Sequence, residues 1–344
     1  MRIRALVKRI ILQLVRDKRT LALLFVAPLL ILTLMHFLFT SNGDSSKVGI
    51  AGLSDEMVEQ LQKVEIDVVT FQEPTNIEDA IIENELDGYL VSKAGTLSLT
   101  VENTDPSRSK FLQTKIQQAF AMGSDKSELM KGELTTNYMY GSEDTTFFDV
   151  LSPILVGFFV FFFVFLISGI GLLRERMTGT LERLLSTPIR RWEIVLGYLI
   201  GYGLFAIIQT IIVVVYSVNV LDMVLVGSVW LVLLVNVLIA LVALSLGILL
   251  SSFAASEFQM IQFIPLVIVP QVFFTGIIPI AGMPEWLQMF SKIMPISYGA
   301  DALKSIMYKG MGLSEILTDL VVLIGFATVF IALNIVALKK YRKI

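Results

Sequence analysis

The sequence predicts a polytopic α-helical membrane protein carrying one soluble α/β insert. Three observations carry that prediction. The 344 residues are 55% hydrophobic and only 17% charged, with a mean hydropathy of +0.76, well outside the range of soluble domains. Six uncharged, apolar runs recur along the chain, each long enough to cross a bilayer. Between the first and second runs, residues 41–149 instead hold twenty acids and eight bases.

The same composition excludes several function classes. The net charge is −3, so no basic field points to nucleic acid. There are no cysteines, and the single histidine is His36. Disulfides, a His/Cys zinc site and an ordinary Cys–His or Ser–His nucleophile pair are all excluded.

Residues 1–20 carry seven Lys/Arg and one acid, Asp17. Ile3, Leu6, Ile10, Ile11, Leu14 and Val15 form a helical stripe with basic residues beside it, which reads as a cytosolic interfacial amphipathic helix. Leu21–Thr40 is a 20-residue uncharged run. It crosses a ~30 Å hydrocarbon layer at ~1.5 Å per residue and is too long for a cleaved signal peptide. Transmembrane helix 1 therefore spans 21–40, with Pro28 as a bend.

Residues 41–147 read as a small α/β domain. KVGIAGL, DVVTF, GYLVSK and TLSLTVE are strand-like. SDEMVEQLQKV opens on a Ser cap and reads as a helix. NIEDAIIENELDG has an Asn cap and a Gly88 stop, which also makes it a helix. A long helical segment, about 106–133, leads back to the membrane. Its scattered carboxylates read as a solvated face.

The remaining runs are Val150–Leu173, Ile194–Leu221, Met223–Ser256, Phe258–Pro284 and Leu320–Leu338. Residues 148–344 thus hold transmembrane helices 2–6. With six spans, the N-terminus, the 174–193 segment and the KKYRKI tail share one side, and they hold 16 of the 27 Lys/Arg. By the positive-inside rule that side is cytosolic, and both termini lie there. The acidic α/β domain is then extracytoplasmic. Asp222 sits in a tight outer turn and 251–257 in a short inner one. Between spans 5 and 6, residues 275–310 are too broken for one helix and too apolar for an exposed loop. They contain Pro279, Pro295, Tyr298 and Asp301, and they read as a re-entrant pair of half-helices at the outer end.

The segment RERMTGTLERLLSTPIRRWEI interrupts the apolar runs. Thr178 or Thr180 is expected to cap a helix starting near Leu181, with Leu181, Leu184 and Leu185 on one face. Pro188 ends it, and Arg190, Arg191 and Trp192 suit the headgroup level of the next span. The pattern alone leaves two readings open. One is a surface helix that moves with a partner, hinged at Gly179; the other is a plain basic loop.

This segment resembles the signature of the ABC-2 type permeases, the membrane subunits of one class of ATP-binding-cassette transporters. The matching positions are Glu175, Gly179, Thr180, Glu182, Leu184, Leu185, Pro188, Glu193 and Gly197. MPISYGADALK resembles a second family segment at Pro295, Ser297, Tyr298, Asp301, Ala302 and Leu303, with Lys304 where many relatives have Arg. The six spans and the outer insert are similar to the drug-exporting subgroup.

The resemblance implies a transport subunit rather than an enzyme. No G-x-x-x-x-G-K-[ST] phosphate loop is present, so ATP and Mg2+ belong on a partner ATPase subunit. It also implies pairing with a second permease copy or paralogue, contact with membrane lipids, and a bacterial or archaeal cytoplasmic membrane. The coupling residues would be Glu175, Gly179, Thr180, Glu182, Arg183, Leu184, Leu185, Pro188 and Glu193. Of these, Glu175 and Glu182 would pair with ATPase bases, while Arg183, Arg190 and Arg191 would anchor lipid or partner. The path would be apolar, with Phe158, Phe162, Gln209, Asn236 and Gln262 as candidates. Lipid contact or dimer packing is the other use of such a Phe cluster. No carboxylate or His sits mid-span in the later runs, which argues against ion coupling and for an amphiphilic cargo. The alternative class is a non-transporting sensor or immunity scaffold whose outer domain binds a ligand.

Overall fold

The computed structural model describes residues 2–38, 47–53, 57–59, 61, 64, 66–71, 76–84, 86–93, 96–103, 109, 112–116, 119, 135–139, 145, 147–277 and 283–338. They form two compact units, one of residues 38–150 and one of residues 1–37 with 151–344.

The chain opens with α1 (Arg2–Arg16), whose buried stripe is Leu6, Ile10 and Leu14. Asp17 breaks the helix, and α2 (Lys18–Leu38) follows with Pro28 inside it. Asp17 caps α2: its carboxylate accepts from the Thr20 N–H at 3.2 Å and from the Thr20 hydroxyl at 2.6 Å.

The smaller unit is an α/β sheet, as the alternating segments predict. Its strands are β1 (Lys47–Ala51), β2 (Asp67–Thr70), β3 (Gly88–Lys93), β4 (Thr96–Val101) and β5 (Thr135–Tyr138), with α3 (Ile77–Glu83) between β2 and β3. The order is β2-β1-β3-β4-β5, and only the β3–β4 pair is antiparallel. Alternation splits the core across both faces. Val48, Ile50, Leu90 and Leu99 pack with Leu112 and Ile116, while Ala51, Tyr89 and Val91 pack with Ile81 of α3.

Two expectations for this unit are corrected. Gly88 does not stop the helix: α3 ends at Glu83, Asn84 caps it, and Gly88 opens β3 opposite Val48 and Val101. The strand β5 was not legible in TTNY, because a short polar edge strand is stabilised by pairing with β4 rather than by its own pattern. Of the long segment at 106–133, residues 109, 112–116 and 119 are helical and the others lie outside the described residues.

The larger unit is a helical bundle. Its elements are α4 (Phe147–Met177), α5 (Thr180–Leu185), α6 (Arg191–Asn219), α7 (Val229–Ser251), α8 (Glu257–Phe273), α9 (Glu285–Ser291), α10 (Pro295–Met307) and α11 (Leu317–Ala337). Among the described residues, five helices, α2, α4, α6, α7 and α11, are long and apolar enough to cross a membrane. Among the described residues, the Pro-punctuated fifth run yields the shorter α8, 17 residues with Pro265 and Pro270 inside. At 1.5 Å per residue it rises about 26 Å.

Burial identifies α4 as the centre: 89% of its apolar window is enclosed, against 17% for α2 and 22% for α11. Phe159, Phe161, Phe163 and Phe165 are all inside. On the outer side of α6, Ile200, Leu204, Ile211 and Val215 are exposed in helical register, a face whose solvent is lipid.

Between α6 and α7 the chain turns at Asp222, in the left-handed region at φ 47°. It then runs along the end of α10, with Val226 N–H donating to the Met307 carbonyl and Gly227 N–H to that of Ile306. The two helices expected at 275–310 are present as α9 and α10. Trp286, Met289, Phe290 and Ile293 remain exposed, so the apolar side of α9 is uncovered among the described residues. Pro279 lies outside the described residues. Pro295 begins α10 at N1, where its missing N–H costs nothing. Gln271 of α8 stitches the two elements: its side-chain oxygen accepts from the Ile296 N–H at 3.2 Å.

Candidate functional site

The charged junction forms where α4 leaves the bundle. Arg174, Glu175 and Arg176 are consecutive in its last turn. A helix rotates about 100° per residue, so three adjacent side chains must point three ways. Each reaches a different element.

Arg174 forms ion pairs with Asp17 at the α1–α2 elbow, at 3.6 Å, and with Glu257 at the start of α8, at 3.0 Å. Glu175 is 2% exposed. It accepts from the Arg9 guanidinium of α1 and from the Tyr198 hydroxyl of α6. Arg176 donates to the Ser251 carbonyl and, at 3.0 Å, to the Ala254 carbonyl, closing the C-terminal end of α7.

The Glu175 cluster is built by close packing. Leu6 and Ile10 of α1 sit on Gly197 and Gly201 of α6, a small-xxx-small pair that lets the helices approach. A Cβ at Gly201 would stand 2.8 Å from Ile10. That approach puts Arg9 beside Glu175 and within 3.4 Å of the Tyr198 oxygen. Burial works against the Arg9 charge, but the Glu175 carboxylate and Tyr198 more than offset it, so the guanidinium is held above its ordinary value. Tyr202 stacks on Tyr198 with centroids 6.2 Å apart.

Beyond the junction the chain turns sharply. Gly179 is the N-cap of α5 at φ 68° and ψ 9°. Neither Thr178 nor Thr180 caps that helix, contrary to the sequence expectation. The Thr178 hydroxyl bonds back to the Arg174 carbonyl at 3.0 Å, and Thr180 is already helical. A Cβ at Gly179 would meet nothing within 4 Å. The left-handed backbone alone is what asks for glycine there.

In α5, Leu181 and Leu185 are buried and Leu184 is half-buried. Glu182, Arg183, Ser186, Thr187 and Pro188 are exposed. A 210 Å³ cavity lies against the buried side, between Leu173, Arg176, Leu181, Glu182 and Ala255. Glu193 accepts from the Arg190 N–H at 2.7 Å at the start of α6. Arg190 and Trp192 are exposed, and Arg191 is half-buried.

The junction therefore divides the expected coupling residues. Glu182 and Arg183 present charge outward. Glu175 does not: it is enclosed and already holds Arg9 and Tyr198, so it is not available to bases on another protein. Arg9 and Tyr198 were not read from the sequence as part of the site. The one signal for them was the Gly197-x-x-x-Gly201 spacing.

The expected path residues do not share one surface. Phe158 and Phe162 are half-buried and stacked, with centroids 6.1 Å apart. Gln209 and Asn236 are fully enclosed, while Gln262 faces outward. At the far end of the bundle, Tyr298, Asp301, Lys304 and Asp319 line a pocket of about 320 Å³.

A profile of the ABC-2 family transporter proteins matches residues 18–336. The chain belongs to the ABC-2 family. Arg174, Glu175 and Arg176 lie within this ABC-2 span, and so does the α/β unit, whereas Arg9 and Asp17 lie before it. Relatives are similar at modest identity. The ABC transporter G family member 20 of Dictyostelium discoideum is 24% identical over 271 residues, covering 77% of this chain and 37% of that protein. The probable multidrug ABC transporter permease YbhR of Escherichia coli strain K12 is 27% identical over 169 residues, 49% of this chain and 46% of its own. The inner membrane transport permease YhhJ of the same strain is 29% identical over 179 residues, 52% and 47%. This ABC-2 chain spans less than half the length of the curated relatives it matches.

Proposed function

We propose that this chain is the membrane permease of an ATP-driven exporter of an amphiphilic molecule, such as a drug, antibiotic, peptide or lipid-like compound. ATP with Mg2+ is hydrolysed on a separate ABC ATPase subunit, and the permease acts as a pair with a second copy or paralogue. Family membership and the permease titles of the relatives support the transport reading. The multidrug title belongs to a relative and supports only the choice of cargo class.

The observation that carries the proposal is the three-way junction. Arg174, Glu175 and Arg176 tie the end of α4 to the α1–α2 elbow, α6, α7 and α8, about one helical turn before the Gly179 hinge. A push on α5 from outside the membrane is then delivered to the heart of the bundle through α4. Glu182 and Arg183 are the exposed charges that would meet the ATPase.

In this reading α8 is the fifth of six spans, α9 and α10 are the re-entrant segment, and the α/β unit faces outside. The junction and both termini face the cytosol of a bacterial or archaeal cell. Phe158 and Phe162 line the path.

The test is export by vesicles holding the permease and its co-purified ATPase. Gly179→Pro combined with Glu182→Ala is expected to abolish ATP-dependent export while the chain still assembles. Unchanged export, or failure of any ATPase subunit to co-purify, sinks the coupling assignment.

A further inference from the structure

We infer that the pocket at the α1–α2 elbow holds one anionic phospholipid from the adjoining leaflet, its headgroup at Arg19 and an acyl chain between α2 and α4. The pocket measures about 380 Å³ and changes character along its length. Gln13, Asp17, Arg19 and Arg174 line one end, while Leu23 of α2, Leu166 and Ile170 of α4 and Tyr202 of α6 line the rest.

The volume accommodates roughly a dozen groups of water size, and water finds partners at the polar side chains but none along Leu23, Leu166, Ile167 and Ile170. A chain of methylenes fits it better. Leu23 is 42% exposed and stands on the face where α2 also shows Val26 and Leu30, so the slot opens sideways towards lipid.

Charge decides which lipid. The elbow reads Arg16-Asp17-Lys18-Arg19, and its three cations are exposed. Its acid is already committed to Thr20 and Arg174. Arg174 is in turn shared with Glu257. Arg19 has no ion-pair partner among the described residues, and it is part of the pocket lining. An unpaired guanidinium in the same lining as an apolar slot between helices selects a negative headgroup with a tail attached. A free phosphate would leave the slot unfilled, and a cationic amphiphile would meet net positive charge.

The experiment is native mass spectrometry of the delipidated full chain in detergent, titrated with phosphatidylglycerol, phosphatidylcholine or glycerol 3-phosphate. One phosphatidylglycerol per chain is expected, bound at least about tenfold more tightly than phosphatidylcholine, and glycerol 3-phosphate should not displace it. Arg19→Glu should weaken phosphatidylglycerol about tenfold and leave phosphatidylcholine unchanged. Ile170→Trp, which fills the slot, should weaken both. If that variant does not fold, Leu23→Asn at the exposed edge takes its place.

Equal binding of the two lipids, or an Arg19→Glu variant with unaltered affinity, would mean ordinary annular lipid and overturn the inference. Displacement by glycerol 3-phosphate would mean a headgroup site without a tail slot and would overturn it as well. None of these readouts depends on transport or on an ATPase.

Discussion

The carboxylate of Glu175 on α4 holds the guanidinium of Arg9 on α1 across 166 positions of sequence. The two side chains are 3% and 34% exposed. The pair is therefore enclosed on the acidic side and open on the basic side, and Tyr198 completes it from α6. It binds the N-terminal helix to the bundle at the point where α4 leaves for the hinge.

Removing Glu175 leaves the Arg9 charge partly enclosed and without its partner. Glu175→Ala is expected to destabilise the chain by about 3 kcal/mol, the low end for a buried pair because Arg9 reaches solvent. Arg9→Met combined with Glu175→Leu should recover part of that loss, since no charge is then stranded. Thermal unfolding in detergent checks both. A double variant as weak as Glu175→Ala alone would show that the loss comes from packing.

Arg176 satisfies two carbonyls at the end of α7. Its removal leaves both facing a half-buried turn, each costing about 1–3 kcal/mol if left unpaired. Arg176→Ala should therefore raise amide exchange over residues 249–256 by at least tenfold and leave α10 and α11 protected. Arg176→Lys should restore part of the protection, because an ammonium can reach one carbonyl but lacks the fork geometry.

The elbow should soften in acid. Hydrogen bonds from the Thr20 side chain and backbone, aided by Arg174, hold the Asp17 carboxyl below its ordinary value of 3.8. A lowered native value means that the stabilisation is complete above the ordinary value and is lost as pH falls through the lower, native one. Melting temperature should thus fall below that ordinary value in the wild-type chain. In Asp17→Asn, which retains a capping oxygen without the titration, the part of the fall due to this group should be absent. The two profiles should separate only at the acid end.

Two enclosed amides should respond oppositely to the same change. Gln209 is fully buried and neither amide atom has a hydrogen-bond partner among the described residues. Asn334 donates to the Ser245 carbonyl of α7 at 2.8 Å and to the Phe330 carbonyl at 2.9 Å. Gln209→Leu is expected to stabilise by about 1 kcal/mol and Asn334→Leu to destabilise by a similar amount. A loss of transport in a stabilised Gln209→Leu variant would assign the amide to cargo or gating.

Legibility in the sequence followed the range of the interactions. Asn76 was readable as a cap because its oxygen bonds an N–H two residues on. Pro188 and Gly179 were readable as breaks because their effect is on their own backbone. Gly88 was misread, since a strand position is set by partners forty residues away in β1. Thr178 was misread as a cap, since a left-handed Gly179 redirected the turn. Glu175 was placed in the correct segment but facing the wrong way, because the motif does not say which of three consecutive helical residues points inward.

By itself the sequence determined that this is a membrane chain, where its long apolar helices run, that an α/β unit interrupts them and that a charged break lies at 174–193. Those are properties of length, hydropathy and local backbone, and each is decided within about twenty residues. Only the tertiary structure decided what the break does. Arg174, Glu175 and Arg176 acquire their meaning from Asp17, Arg9, Tyr198, Ser251 and Glu257, which come near only when five helices pack. The division among them is set by helix rotation and burial, and burial belongs to the whole fold rather than to any stretch of it.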